Sequence, residues 1–240
     1  LARLGEGQSE TFECRLKARF LTGLDPGFEL FETLRCTVQG ELPHLERHLA
    51  RLAHSAVALG FALDAEAARR LLTQAAGEPA SGARRLRLAL AHDGRLTLAQ
   101  AALAPLPGSE VRLRIARERL PDENPLAAHK TTLRSLYDRG VTDAEAVGAF
   151  DSLFFSASGW LVEGGRSSVF VKLRGRWFTP PLADGALPGV MRSVLLDDPA
   201  MAATERRLTL ADLDASEAIV VCNALRGVLP AHLLSGERLQ

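Results

Sequence analysis

Lysine is nearly missing from this sequence. It stands only at positions 17, 130 and 172, and arginine supplies the other basic charges, so each lysine can be weighed singly as a nucleophile or base. Cysteine is as sparse: Cys14, Cys36 and Cys222 are odd in number and far apart. That argues against a disulfide framework or a cysteine zinc site and suits reduced thiols. The six histidines are not spaced with cysteine or acid in the manner of metal ligands, and no metal is expected. No apolar run is long enough to span a membrane, and the start lacks a basic-then-apolar leader pattern. A cytoplasmic protein with no membrane partner is therefore expected.

Net charge is also missing, since 29 basic residues balance 29 acidic ones. No general field then draws the chain to nucleic acid. Arg112, Arg114, Arg117 and Arg119 cluster without interleaved aromatics, so they read as a solvated strand face rather than a single-strand platform. Gly-x-Ser-x-Gly and phosphate-loop motifs do not occur. The chain begins at Leu1 without methionine, which suggests a piece cut from a longer polypeptide or a missing start.

What is present is an ordinary globular composition, 47% hydrophobic and 24% charged. Residues 1–20 are polar and aperiodic and read as a linker or the tail of a preceding domain. A strand is predicted over 28–38, and Pro43 opens a helix to Leu59 with Leu45, Leu49, Leu52 and Ala56 on one face. Gly60 ends it, and Asp64 caps a second helix to Ala76. Asp93-Gly94 joins two strands, 84–91 and 95–102, as a hairpin. A strand over 111–116 follows, then a helix over 131–149 that Gly140 could break. Strands are expected at 153–155 and 160–162, and a hairpin at 168–173 with 177–179. A helix over 189–196, a capped turn near Asp212, a strand over 218–222 and a closing loop complete the reading. The class is α+β, with an N-terminal domain over 21–124 and a C-terminal domain over 125–240.

Five stretches carry residue types suited to chemistry. Lys130 is placed where a loop meets a helix, so its amine can enter a cleft where burial would lower its pKa; read on local sequence alone, a solvated helix-start lysine is the better description. Glu163 ends an apolar strand before Gly164-Gly165, which can turn a carboxylate inward where backbone must come close to a ligand; an ordinary strand-end glutamate is the alternative. Leu187-Pro-Gly-Val-Met-Arg192 offers unpaired amides at a helix start, a phosphate cradle or a plain turn. Arg51 can supply a fixed cation for the same anion, or belong to an exposed basic face with Arg47 and His48. Asn223, at a strand end, can brace a loop or meet a ligand.

Taken in order, these segments resemble the fold-type IV pyridoxal 5'-phosphate (PLP) enzymes, the class IV aminotransferase family. The matching pieces are Phe31-Glu-Thr-Leu-Arg35, His48-Leu-Ala-Arg-Leu52, His129-Lys-Thr-Thr-Leu-Arg134, Gly159-Trp-Leu-Val-Glu-Gly164, Thr179-Pro-Pro181 and Ala186-Leu-Pro-Gly-Val-Met-Arg192. The resemblance implies a two-domain fold of the D-amino acid aminotransferase type, a small N-terminal α/β domain and a C-terminal pseudo-barrel. It implies that Lys130 carries PLP, that Glu163 pairs with the pyridine nitrogen, and that Arg51, Ser168, Gly189, Val190, Met191, Asn223 and Ala224 bind the cofactor. Thr33, Arg35, Arg134 and Arg226 are the implied substrate contacts.

Within the family, Cys222-Asn-Ala-Leu225 with Val228-Leu-Pro230 is most similar to the aminodeoxychorismate lyases; Ala224 lacks the hydroxyl of the Gly-Thr-Ala loop usual in branched-chain aminotransferases. The implied reaction releases pyruvate from 4-amino-4-deoxychorismate, a small-molecule substrate, and leaves 4-aminobenzoate for folate synthesis. Transamination of branched-chain or D-amino acids, and a non-catalytic lyase-like domain, are the alternatives. Glu13-Cys-Arg-Leu-Lys-Ala-Arg-Phe-Leu21 resembles the end of an aminodeoxychorismate synthase, which implies a fused or associated synthase, and the family implies a homodimer. The chain departs from the family in lacking its opening Asn-Gly hairpin and in carrying Arg226 where the lyases have an apolar residue.

Overall fold

The computed structural model describes residues 25–234, so the expected linker at 1–20, with Cys14 and Lys17, lies outside the described residues. Two sheets organise these residues. The smaller has the order β1 (Leu30–Cys36), β2 (Arg84–Leu90), β3 (Leu96–Ala102), all antiparallel. Strand alternation sends Leu30, Leu34 and Cys36 into a core shared with helices α1 (Leu45–Leu59) and α2 (Ala65–Ala76). Phe31 and Thr33 consequently point to the opposite face. Asp64 caps α2 by accepting from the Ala67 N–H at 2.8 Å. Gly60 ends α1 at φ 75, the left-handed conformation that favours glycine.

The larger sheet contains β4 (Val111–Ile115), β5 (Asp151–Phe155), β6 (Leu161–Gly164), β7 (Ser168–Leu173), β8 (Arg176–Thr179), β9 (Thr204–Glu205), β10 (Ala218–Asn223) and β11 (Gly227–Leu233). Their order is β6-β5-β4-β11-β10-β7-β8-β9. Strands β6 and β7 thus stand apart in the sheet, yet only three residues join them, and the Gly164 N–H bonds the Ser167 carbonyl at 2.7 Å. The sheet must curl to bring those strands together. Val111, Leu113, Leu153, Val171, Val221 and Leu229 fill its concave side. The class is α+β, as expected, with the larger sheet curled into a half-barrel.

The helices α3 (Ser135–Ala146), α4 (Val190–Asp197) and α5 (Leu210–Asp214) pack around this sheet. Three sequence expectations are corrected. The helix expected from 131 begins only at Ser135, because residues 130–132 are extended against β1: the Phe31 N–H bonds the Lys130 carbonyl and the Thr132 N–H bonds the Glu29 carbonyl, both at 2.9 Å. Lys130 therefore does not sit at a helix start. The closing loop is instead β11, whose alternation is disguised by Pro230. Arg114 is buried and donates to the Asp143 carbonyl at 3.1 Å, rather than lying on a solvated face.

Candidate active site

Between the two sheets lies a cavity of about 480 Å³. Its walls bring together Lys130, Arg51, Glu163, Ser168, Gly189, Val190, Met191, Asn223, Ala224, Thr33 and Arg134, residues scattered over the whole sequence. Arg35 and Arg226 are not among them; they line a neighbouring cavity of about 360 Å³ that shares Leu225 with the first. Arg85 and Arg87 of β2 enter the main cavity, Arg87 by its cross-strand pairing with Thr33. A period-2 reading of 84–90 could have found them, since the alternate Leu86 and Leu88 are buried on the helix side.

Lys130 is held beside β1, with its Nζ 4.7 Å from the centroid of Phe31. Burial, reinforced by the positive charges of Arg51 and Arg134, lowers its amine to about 7, against the opposing pull of Glu32 and Glu163. Such an amine is partly free base at neutral pH, as a nucleophile requires. Glu163 is buried on β6, and its Oε2 accepts from the Leu187 N–H at 3.1 Å. Burial pushes its carboxyl up to about 7, while the Tyr137 hydroxyl, the Leu187 amide and the charges of Lys130 and Arg134 restrain the rise.

The two glycines after Glu163 are needed for a reason other than ligand approach. A Cβ at Gly164 would lie 2.4 Å from Asp151 Oδ2, and one at Gly165 would lie 2.8 Å from Val141 Cγ2. Asp151 is itself a buried carboxylate, accepting from Ser167 Oγ at 2.6 Å and the Arg166 N–H at 3.0 Å.

Arg51 is clamped. Its Nε and Nη2 donate to Glu32 Oε1 and Oε2 at 2.8 and 2.6 Å, and its Nη1 donates to the Pro188 carbonyl at 3.1 Å. His48 Nδ1 donates to Glu32 Oε2 at 2.6 Å, since an ionised carboxylate can only accept. Burial would push Glu32 up, but Arg51 and His48 outweigh it and hold the carboxyl at about 2. The exposed basic face that the sequence allows for Arg51 and His48 does not form: His48 and Glu32 are both buried, and neither is expected from the sequence to support the site. Their spacing from Arg51 along β1 and α1 was the available signal.

The helix start at Gly189 completes an anion cradle. Gly189 comes so close to β7 that a Cβ there would meet Ser168 Oγ at 2.6 Å. The first-turn amides of α4 have no intrahelical acceptor, and the helix dipole favours an anion there. Asn223 braces the adjoining loop, accepting from the Leu225 and Arg226 amides at 3.1 and 2.9 Å and donating to the Arg166 carbonyl at 3.0 Å. Arg47 on α1 ties this corner to α4, donating to Ser193 Oγ at 2.9 Å and Asp197 Oδ2 at 2.8 Å.

A buried amine, a buried carboxyl and an anion cradle around one cavity define the site of a PLP enzyme, and the donor set fits that cofactor. The chain belongs to the family described as amino-transferase class IV, whose pattern matches residues 29–234; the family depends on PLP. A protein of Schizosaccharomyces pombe provisionally named an aminodeoxychorismate lyase is 29% identical over 209 residues, 85% of this chain and 89% of that protein. A crystal structure from Mesorhizobium loti, provisionally named an amino-acid aminotransferase, is 38% identical with a TM-score of 0.79, covering 86% of this chain and 100% of the other. The 4-amino-4-deoxychorismate lyase from Pseudomonas aeruginosa is 26% identical with a TM-score of 0.75, covering 87% of this chain and 84% of that one. Among the described residues, no helix is long and apolar enough to cross a membrane.

Proposed function

We propose that this enzyme is a 4-amino-4-deoxychorismate lyase, which converts its substrate to 4-aminobenzoate and pyruvate. The observation that carries the reading is the second cationic wall of the cavity. Arg85, Arg87 and Arg134 line it in addition to Arg51. A branched-chain amino acid needs an apolar pocket for its side chain, whereas this substrate carries two carboxylates and a hydrophobic pocket would reject them. Thr33 adds a hydroxyl to the same wall. The lyase names among the relatives support the same reading.

When bound, PLP supplies an electron sink for negative charge at the carbon that bears the amine. Lys130 is the residue for its aldehyde, Glu163 for its ring nitrogen, and Arg51, Ser168, Gly189, Val190, Met191 and the Asn223-Ala224 loop for its phosphate. The Lys130 amine takes the proton from the amine-bearing carbon. Glu163 keeps a proton at the ring nitrogen, and the arginines of the second wall hold the carboxylates against diffusion. Departure of the enolpyruvyl group as pyruvate leaves an aromatic ring, and the atoms of substrate and products balance without a co-reactant. Aromatisation drives the step. The same reading carries a cytoplasmic homodimer with a fused or associated synthase, as the family resemblance and the segment 13–21 suggest.

Amino transfer is the second reading, favoured by the 38% identity to the M. loti protein. Purified protein loaded with PLP and given aminodeoxychorismate should release pyruvate and 4-aminobenzoate in equal amounts. Consumption of 2-oxoglutarate with a branched-chain or D-amino acid, without pyruvate release, would replace the lyase with the transaminase. Colourless protein that ignores added PLP would point to a non-catalytic domain.

A further inference from the structure

Tyr137 is the single tyrosine of the chain, and it lines the cavity one turn of α3 ahead of Gly140. The roles assigned above leave it unused. Gly140 does not break the helix; it lets α3 lie close on β5, since a Cβ there would meet the Phe154 ring at 2.4 Å. Ser152 Oγ anchors the same turn by donating to the Gly140 carbonyl at 2.5 Å. With α3 so placed, the Tyr137 ring packs edge-on against Phe154, centroids 5.1 Å apart. Phe154 is the direct cross-strand partner of Glu163. The phenol is thus brought beside Glu163 in the cavity wall, where its hydroxyl, as a hydrogen-bond donor, opposes the burial that raises that carboxyl.

We propose that Tyr137 is a positioning residue for Glu163, its hydroxyl fixing the carboxylate in the orientation that meets the cofactor's ring nitrogen. This rests on the reading of Glu163 as the ring's acid partner. A carboxylate has about four acceptor sites, so donors from Tyr137 and the Leu187 amide leave room for a ring N–H. Hydrogen bonds to the charged form oppose the burial that would neutralise Glu163, which keeps the carboxylate available as a counter-charge. Conversely, burial first and the Glu163 charge second push the Tyr137 phenol above its usual range.

Two measurements test this. Phenolate absorbance in the ligand-free protein reports one residue only. Wild type should show no phenolate up to about pH 11, and Glu163→Gln should ionise at lower pH than wild type, because the facing charge is gone. PLP affinity, followed by quenching of tryptophan fluorescence, should fall roughly three- to tenfold in Tyr137→Phe, the worth of one hydrogen bond. The pH midpoint of the bound cofactor's spectrum should move with it, while the thermal midpoint of the ligand-free protein changes little. Ordinary tyrosine titration insensitive to Glu163→Gln would overturn the contact. If Glu163→Gln weakens PLP binding and Tyr137→Phe leaves affinity and spectrum untouched, Tyr137 has no positioning role. If neither variant changes them, Glu163 itself loses its assignment, and Tyr137 with it.

Discussion

Two buried carboxylates serve the site, Glu163 in the cavity wall and Glu32 behind Arg51 on the helix side of the small sheet, and their proton affinities move in opposite directions. Glu32, on the small-sheet side, is held at about 2, whereas Glu163, on the large-sheet side, is pushed to about 7. Burial raises both. The difference lies in the partners: Glu32 has a guanidinium in bidentate contact and an imidazole N–H, while Glu163 has neutral donors and feels the charges of Lys130 and Arg134 without a hydrogen-bonded cation. The first is a finished ion network that holds Arg51 in place. The second is left electrostatically open, which suits a group whose counter-charge arrives with a ligand. Lys130, although held beside β1, is likewise left open, with an amine lowered to about 7.

The largest break in this comparison is Lys130→Ala, which should abolish cofactor colour and reduce turnover at least about a thousandfold, read by absorbance and pyruvate release. Next is Glu32→Ala. It strands Arg51 and His48 without their anion and should cost about 3–5 kcal/mol of stability in urea unfolding. The two sides should also separate by pH in the ligand-free protein. Glu32 has a depressed pKa, so its contribution is present above the usual 4.5 and is lost as pH falls toward about 2. Glu163 has a raised pKa, so stability falls as pH climbs from 4.5 to about 7. Lys130 has a lowered one, so stability recovers as pH climbs from about 7 to the usual 10.5. A dip near neutral pH is the expected outcome. Glu163→Gln should raise ligand-free stability there by about 3 kcal/mol and flatten the slope below it. The smallest effect, about 1–3 kcal/mol, is expected from Gly140→Ala, which crowds Phe154 and is checked by the thermal midpoint.

Much of this was legible in the sequence. The Asp64 cap, the Gly60 stop and the Asp93-Gly94 turn are local chemistry, and each forms as local chemistry dictates. Lys130, Glu163, Arg51 and the Gly189 turn were singled out by residue type and order, and one cavity gathers them. The parts that escaped are those settled by long-range pairing. Residues 131–134 have helical neighbours but are drawn into an extended path by β1, and β11 is a strand because β10 and β4 flank it. The same holds within the site. Glu32 reads as a polar interruption of an apolar strand until α1 lays His48 and Arg51 over it. Tyr137 carries no signal of its own in the sequence; it joins the site because Gly140 lets α3 sink onto Phe154.

The central claim concerns which amine holds the cofactor, and a chain with three lysines lets it be tested directly. Borohydride reduction of the PLP-loaded protein, followed by mass mapping of its peptides, should fix the pyridoxyl group on Lys130. A stable adduct on Lys17 or Lys172 instead, or no adduct at saturating PLP, would contradict the account.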